Sequence, residues 1–279
     1  GHITDTRLTN RDLFFSDTGA LEQGGYLTNT AKSPQQHNNG PADAAFENAH
    51  QNLQAQYGNE ARFVGLDTCR RYRNKLEEGD GAAMAVLGLF QRRTPFFVQL
   101  MRKNCKLPDE QETDIIYNSE IEEHFPLRKF PSTVLPIVIV QDPLPWMTDV
   151  CRDRPKELEI DSVARKDCPS LDEPVRVRYL EFKNATTHPS LAHLWNDWYE
   201  PWLTHHSGPR LLVRAEDVLL HPHDVVTEVC ECIGGSIHDH FRNKAPWHID
   251  AVPDRMEAYN EDTLQYAMDH LDPQLMNVL

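Results

Sequence analysis

Ala83-Met84-Ala85-Val86-Leu87-Gly88-Leu89-Phe90-Gln91-Arg92-Arg93-Thr94-Pro95-Phe96-Phe97-Val98-Gln99-Leu100-Met101 decides how the chain reads. Ala83 to Phe90 is apolar without alternation, the pattern of a central strand whose sheet is covered by helices on both faces. The polar turn Gln91–Thr94 then leads into apolar residues at helical spacing, which run to Asn104-Cys105. Thr94 followed by Pro95 predicts the helix start, with Thr as N-cap and Pro at the first helical position. Strand, tight turn and helix in this order form the layout in which backbone N–H groups at a helix start hold an anion.

The same alternation continues outward. Thr113–Tyr117 reads as a short strand, Val134–Val140 as a buried one, and Pro143–Arg152 as the start of a helix. Leu191, Leu194, Trp195, Trp198 and Trp202 share a helical face, better suited to core packing than to stacking on sugar rings. Arg210–Arg214 is a further strand, followed by helices over Asp224–Ile233 and Asp262–Leu271. Strands alternating with helices require crossover connections, so the expected class is α/β with a mostly parallel sheet. Towards the N-terminus, Glu77–Gly81 is a turn and Pro41 opens a helix carrying Ala45, Ala49, Leu53 and Tyr57 on one face. Residues 1–41, rich in Thr, Asn, Gln and Gly, read as an irregular arm, and residues 42–279 as one domain. No internal repeat is visible.

Of 279 residues, 39% are hydrophobic and 25% charged, enough for a sizeable core. The net charge of −15 repels phosphate backbones, which argues against a nucleic-acid partner. No apolar run approaches the roughly 18–20 residues of a membrane span. The opening Gly1-His2 reads as the scar of a removed tag. Cys69, Cys105, Cys151, Cys168, Cys230 and Cys232 are too sparse for a disulfide framework, and Cys230-Glu231-Cys232 lacks the two-residue gap of a redox or zinc motif. Those two thiols read as helix residues or as one disulfide partner. Asn184-Ala185-Thr186 is a glycosylation sequon and points to a secretory route, in the Golgi lumen or outside the cell.

Three further segments join the strand–turn–helix. Pro136–Val140 ends in Gln141-Asp142-Pro143 before a helix, Leu194–Tyr199 is an aromatic helix, and Arg210–Val213 ends in Arg214-Ala215-Glu216-Asp217 with a His221-Pro222 turn beyond. In this order they resemble the sulfotransferase family, in particular the sulfotransferase-like proteins of marine algae. Asn260–Met276 is similar to that group's C-terminal helix. The resemblance covers roughly residues 82–279. It implies a P-loop-type three-layer α/β/α sandwich that passes a sulfuryl group from 3′-phosphoadenosine 5′-phosphosulfate to a hydroxyl or amine. The acceptor it implies is a carbohydrate or a small molecule.

Against the family's pattern the donor positions are altered. The family's loop reads Pro-Lys/Arg-Ser/Thr-Gly-Thr-Thr, where this chain has Phe90-Gln91-Arg92-Arg93-Thr94-Pro95. Gln91 takes the place of the basic residue, Arg93 that of the glycine, and Pro95, without an N–H, that of the second Thr. Glu123 falls where a donor-contacting Lys belongs, with His124 retained beside it. Gln141 replaces the basic residue before Asp-Pro, and Asp149 the Ser of the 3′-phosphate site. Charge-assisted hydrogen bonds contribute about 1.5–3 kcal/mol each, so these exchanges weaken nucleotide binding by several orders of magnitude.

Two classes of function therefore stand side by side. In a transferase, His124 is the candidate base, and Thr94 with Arg92 and Arg93 holds the sulfuryl group. In a non-catalytic module binding a ligand or a protein partner, Thr94 is a plain cap and the arginines are solvated. A metal-dependent hydrolase is a minor third class. His205-His206, His221-Pro222-His223-Asp224 and His238-Asp239-His240 lack a recognisable ligand spacing, so no metal is expected.

Overall fold

A computed structural model describes residues 41–76, 82–90, 93–107, 114–117, 130–153, 155–159, 173–178, 185–243 and 259–277, with the backbone alone for 41–47, 49 and 114–117. The expected arm, the turn at Glu77–Gly81, and Gln91, Arg92, Glu123, His124, Cys168 and Asn184 lie outside the described residues.

The strands are β1 (Phe63–Val64), β2 (Ala83–Leu87), β3 (Cys105–Lys106), β4 (Asp114–Tyr117), β5 (Val134–Val140), β6 (Leu158–Glu159), β7 (Val175–Arg178), β8 (Ala185–His188), β9 (Leu211–Arg214) and β10 (Ser236–Ile237). The helices are α1 (Pro41–Tyr57), α2 (Cys69–Arg73), α3 (Thr94–Asn104), α4 (Pro143–Asp153), α5 (Leu191–Glu200), α6 (Ala215–Leu220), α7 (Pro222–Cys232), α8 (Glu261–His270) and α9 (Pro273–Met276).

The main sheet has the order β1-β9-β5-β2-β4. β2 runs parallel to β4 and β5, with Ala83 opposite Asp114 and Val134, and β5 runs parallel to β9. The two-residue β1 lies antiparallel on the outer edge of β9. The chain is thus α/β, with a mixed rather than wholly parallel sheet.

Alternation along the central strands separates two cores. Met84, Val86, Leu135, Ile137, Ile139, Leu211 and Val213 pack with Phe97 and Leu100 of α3 and with Val225, Val226 and Val229 of α7. Leu87, Val138, Val140 and Leu212 pack on the other face with Trp146 and Met147 of α4, Trp195 and Trp198 of α5, and Ala267 and Leu275 near the C-terminus. Each such side chain, fully buried, contributes about 1.5–3 kcal/mol. The tryptophans of α5 are core residues. Its aromatic face continues through one π turn, Pro201–His205, because Pro201 offers no N–H to an α-helical ladder.

Two expectations need correction. Among the described residues, Cys69 is bridged to Cys232 and Cys105 to Cys230, and Cys151 is also disulfide-bonded. Cys230 and Cys232 are two residues apart in the last turn of α7, so their side chains point about 200° apart and reach different partners. Thr94 is not the N-cap of α3. Arg93 holds that place with helical φ −85° and ψ −19°, and Pro95 stands second inside the helix.

A small antiparallel sheet, β6-β7-β8, went unpredicted. Val175 and Val177 face inward, while Arg176 and Arg178 pair with Glu159.

Candidate functional site

β2 leads through α3 to β4 on one side of it, whereas β5 and β9 lie on its other side. The order therefore reverses between β2 and β5, and the crevice beyond their carboxyl ends is where an α/β sheet offers a ligand site. The turn after β2, Gln141-Asp142 after β5, and the start of α6 after β9 converge there.

The turn after β2 is held from outside. Leu89 N–H donates to the Tyr199 hydroxyl at 3.3 Å, Trp146 Nε1 donates to Leu89 O at 2.7 Å, and Tyr199 donates to Ile139 O at 3.1 Å. Phe90, at φ 46°, adopts the left-handed conformation that a side-chain-bearing residue rarely takes. Arg93 turns inward, where Nη1 donates to Glu216 Oε1 at 3.3 Å, and both residues are buried. Burial pushes the Glu216 carboxyl up to about 7; Arg93 opposes the rise and Asp142 adds to it. Thr94 is fully buried, and its hydroxyl has no hydrogen-bond partner among the described residues.

Gln141 is buried at the end of β5. Its Nε2 donates to Asp149 Oδ2 at 2.8 Å, and Arg152 bonds the other Asp149 oxygen. Asp142 starts α4 by accepting from Leu144 N–H at 3.0 Å and also accepts from the Tyr57 hydroxyl at 3.0 Å. Arg214 donates to Asp217 and to Tyr57 O, and its guanidinium lies 5.2 Å from the Tyr57 ring centroid. Asp217 in turn accepts from Arg62 N–H at 2.8 Å. Beside this group, Gln56, Tyr57, Arg62, Asp142, Arg214 and Met276 line a cavity of about 400 Å³.

Of the residues singled out in the sequence, Arg93, Thr94, Gln141 and Asp149 lie around this crevice. Glu216, Asp142, Arg214 and Tyr57 had been given no role. For Arg214 and Glu216 the signal was a charged run, Arg214-Ala215-Glu216-Asp217, directly after the apolar Leu211–Val213, since charges inside must be paired.

The described donor positions do not suit 3′-phosphoadenosine 5′-phosphosulfate. Arg93 is engaged by Glu216, Asp149 faces Gln141 where a phosphate contact would stand, and Pro95 offers no N–H.

Among the described residues, no group of three or more His, Cys, Asp or Glu could hold a metal ion. His205 bonds Thr204, His206 packs 5.0 Å from Trp202, and His223 lies 3.5 Å from Asp224. Histidines do gather elsewhere, from segments far apart in the chain. His188 Nδ1 lies 2.6 Å from Asp197 Oδ2, Ser190 Oγ lies 2.8 Å from His193 Nδ1, and His193 and His270 stand 5.1 Å apart.

No family model matches this chain, and no curated protein or solved structure compared with it does so.

Proposed function

We propose that this chain is a sulfotransferase-like protein that keeps a P-loop-type three-layer α/β/α sandwich in a non-catalytic role, as a module binding a ligand or a protein. One observation carries this reading: the Arg93 guanidinium, at the turn where a donor sulfate would lie, is buried against Glu216. Freeing it would break this buried contact and leave the Glu216 carboxyl to take up a proton. The proposed compartment is the Golgi lumen or the extracellular space. Disulfides persist where the surroundings are oxidising, and the two bridges support such a compartment. No described helix is long and apolar enough to cross a membrane.

Calorimetric titration with 3′-phosphoadenosine 5′-phosphate tests the reading. The expected result is no heat at millimolar nucleotide, and micromolar binding overturns it.

The crevice at the strand-order reversal and the Thr94 hydroxyl, without a hydrogen-bond partner among the described residues, favour a second reading, a sulfuryl transferase acting on a carbohydrate or small-metabolite hydroxyl. It expects nucleotide binding together with turnover that His124→Ala abolishes while the melting temperature is unchanged.

A further inference from the structure

Helices α8 and α9 are laid against α5. Ala267, Leu271 and Leu275 are buried in the core that also holds Trp195 and Trp198 of α5. Asn196 of α5 clasps the joint between the two helices, because its Nδ2 donates to His270 O at 2.7 Å and its Oδ1 accepts from Asp272 N–H at 3.0 Å. Ahead of α8 the Tyr259 hydroxyl donates to Leu144 O of α4 at 2.6 Å. At the far end Met276 forms part of the wall of the 400 Å³ cavity beside Tyr57 and Arg214.

Three imidazoles meet at this crossing, each from a different element. The ring of His193, on α5, stands 5.1 Å from that of His270, on α8. His270 stacks on Tyr266, and its Nδ1–H donates to Tyr266 O at 2.8 Å, since a carbonyl only accepts. His193 Nδ1 lies 2.8 Å from Ser190 Oγ at the head of α5. His188, on β8, is the third, with Nδ1 2.6 Å from Asp197 Oδ2. Burial, then His270 and His188, disfavour charge on His193, whereas Asp197 favours it. That carboxylate is already engaged by His188, so it does not face His193 alone.

The other elements packed here bring charges of their own. Asp269 accepts from Gln265 Nε2, Asp272 from Gln274 N–H, and Asp149 of α4 from Gln141 and Arg152. Glu200 stands seven residues, about 10 Å, along α5 from His193, and Asp262 eight residues, about 12 Å, along α8 from His270. Salt screens exposed charges at such distances. An ordinary carboxyl titrates near 4 and an ordinary imidazole near 6.5, so between pH 7.5 and 5 the charge that changes at this joint is carried by imidazole.

We propose that residues 259–277 form an acid-sensitive latch: charging His193 and His270 against each other loosens α8 and α9 from α5, and with them the Met276 wall of the cavity. A histidine that takes up its proton less readily when the latch is closed than when it is open makes acid favour the open form. The buried Ala267, Leu271 and Leu275 keep the latch seated in most molecules, so acid shifts a local opening equilibrium rather than detaching the segment. The latch depends on no reading of what the crevice binds, so it stands or falls apart from the preceding proposal.

Native-state hydrogen exchange of the full chain at pH 7.5 and 5.0, corrected for intrinsic exchange, tests it, with the amides of α3 as the reference. The opening constant of α8 relative to α3 is expected to rise at least about 5-fold on acidification. His193→Gln and His270→Gln should each hold that rise below about 2-fold, and His205→Gln, at an exposed histidine away from the joint, should leave it as in the wild type. A wild-type α8 indifferent to pH overturns the proposal, as does an equal change in α3. A rise that persists in both His193→Gln and His270→Gln overturns it too.

Discussion

Glu216 shows how one buried group sets a pH dependence. Its folded pKa, about 7, lies above the ordinary 4.5, so between these values the folded state holds the proton more tightly than the unfolded one. Its contribution to stability is present below about 4.5 and is lost as pH rises towards 7. Glu216→Gln removes that loss, so its melting temperature relative to wild type should climb from pH 5 to pH 7.5. A constant difference across that range refutes the assignment. Gly65 is a simpler case. At φ +98°, a Cβ there would stand 2.3 Å from Arg210 O, a backbone atom in the chain leading into β9. Gly65→Ala should cost about 2–4 kcal/mol by denaturant unfolding.

At the scale of elements, α5 and α8 meet through His193 and His270, with Asn196 donating to His270 O at 2.7 Å. Burial lowers the His193 pKa; His270 and His188 lower it further, and Asp197 opposes them. A depressed histidine contributes stability above its unfolded pKa of about 6.5, and that contribution is lost as pH falls below it. His193→Gln should therefore gain on wild type as pH drops from 7.5 to 5, the reverse of Glu216→Gln. Thermal melts of both variants in the same buffers separate the two groups. At the head of α8, Asn260 accepts from Thr263 N–H at 2.8 Å, and Asn260→Ala should cost about 1 kcal/mol in a chemical melt.

For the whole molecule, the bridges close long stretches of chain, with a sequence separation of 163 for Cys69–Cys232 and of 125 for Cys105–Cys230. Removing one by Cys69→Ser with Cys232→Ser should lower stability by about 2–5 kcal/mol, measured by equilibrium unfolding without reductant. Gly235 lies against the other bridge. A Cβ would come within 2.8 Å of Cys230 Sγ and 2.9 Å of both Cys105 Sγ and Lys106 O. Gly235→Ala should accordingly cost about 1–3 kcal/mol in the same assay, because little at this junction can move aside.

The sequence by itself determined the α/β alternation. The unbroken apolar runs Ala83–Leu87 and Val134–Val140 and the 3.6-residue spacing of α3, α5 and α7 express burial through near neighbours, which any window of the chain displays. It also determined that no glycine stands between Phe90 and Pro95, since that depends on residue type alone. Only the tertiary structure decided that Arg93 meets Glu216, that Gln141 meets Asp149, and that both cysteines of α7 are bridged. Each of these pairings except Gln141–Asp149 joins residues more than a hundred positions apart. Which charge neutralises which is settled by where strands and helices end in space, and no local period carries that information.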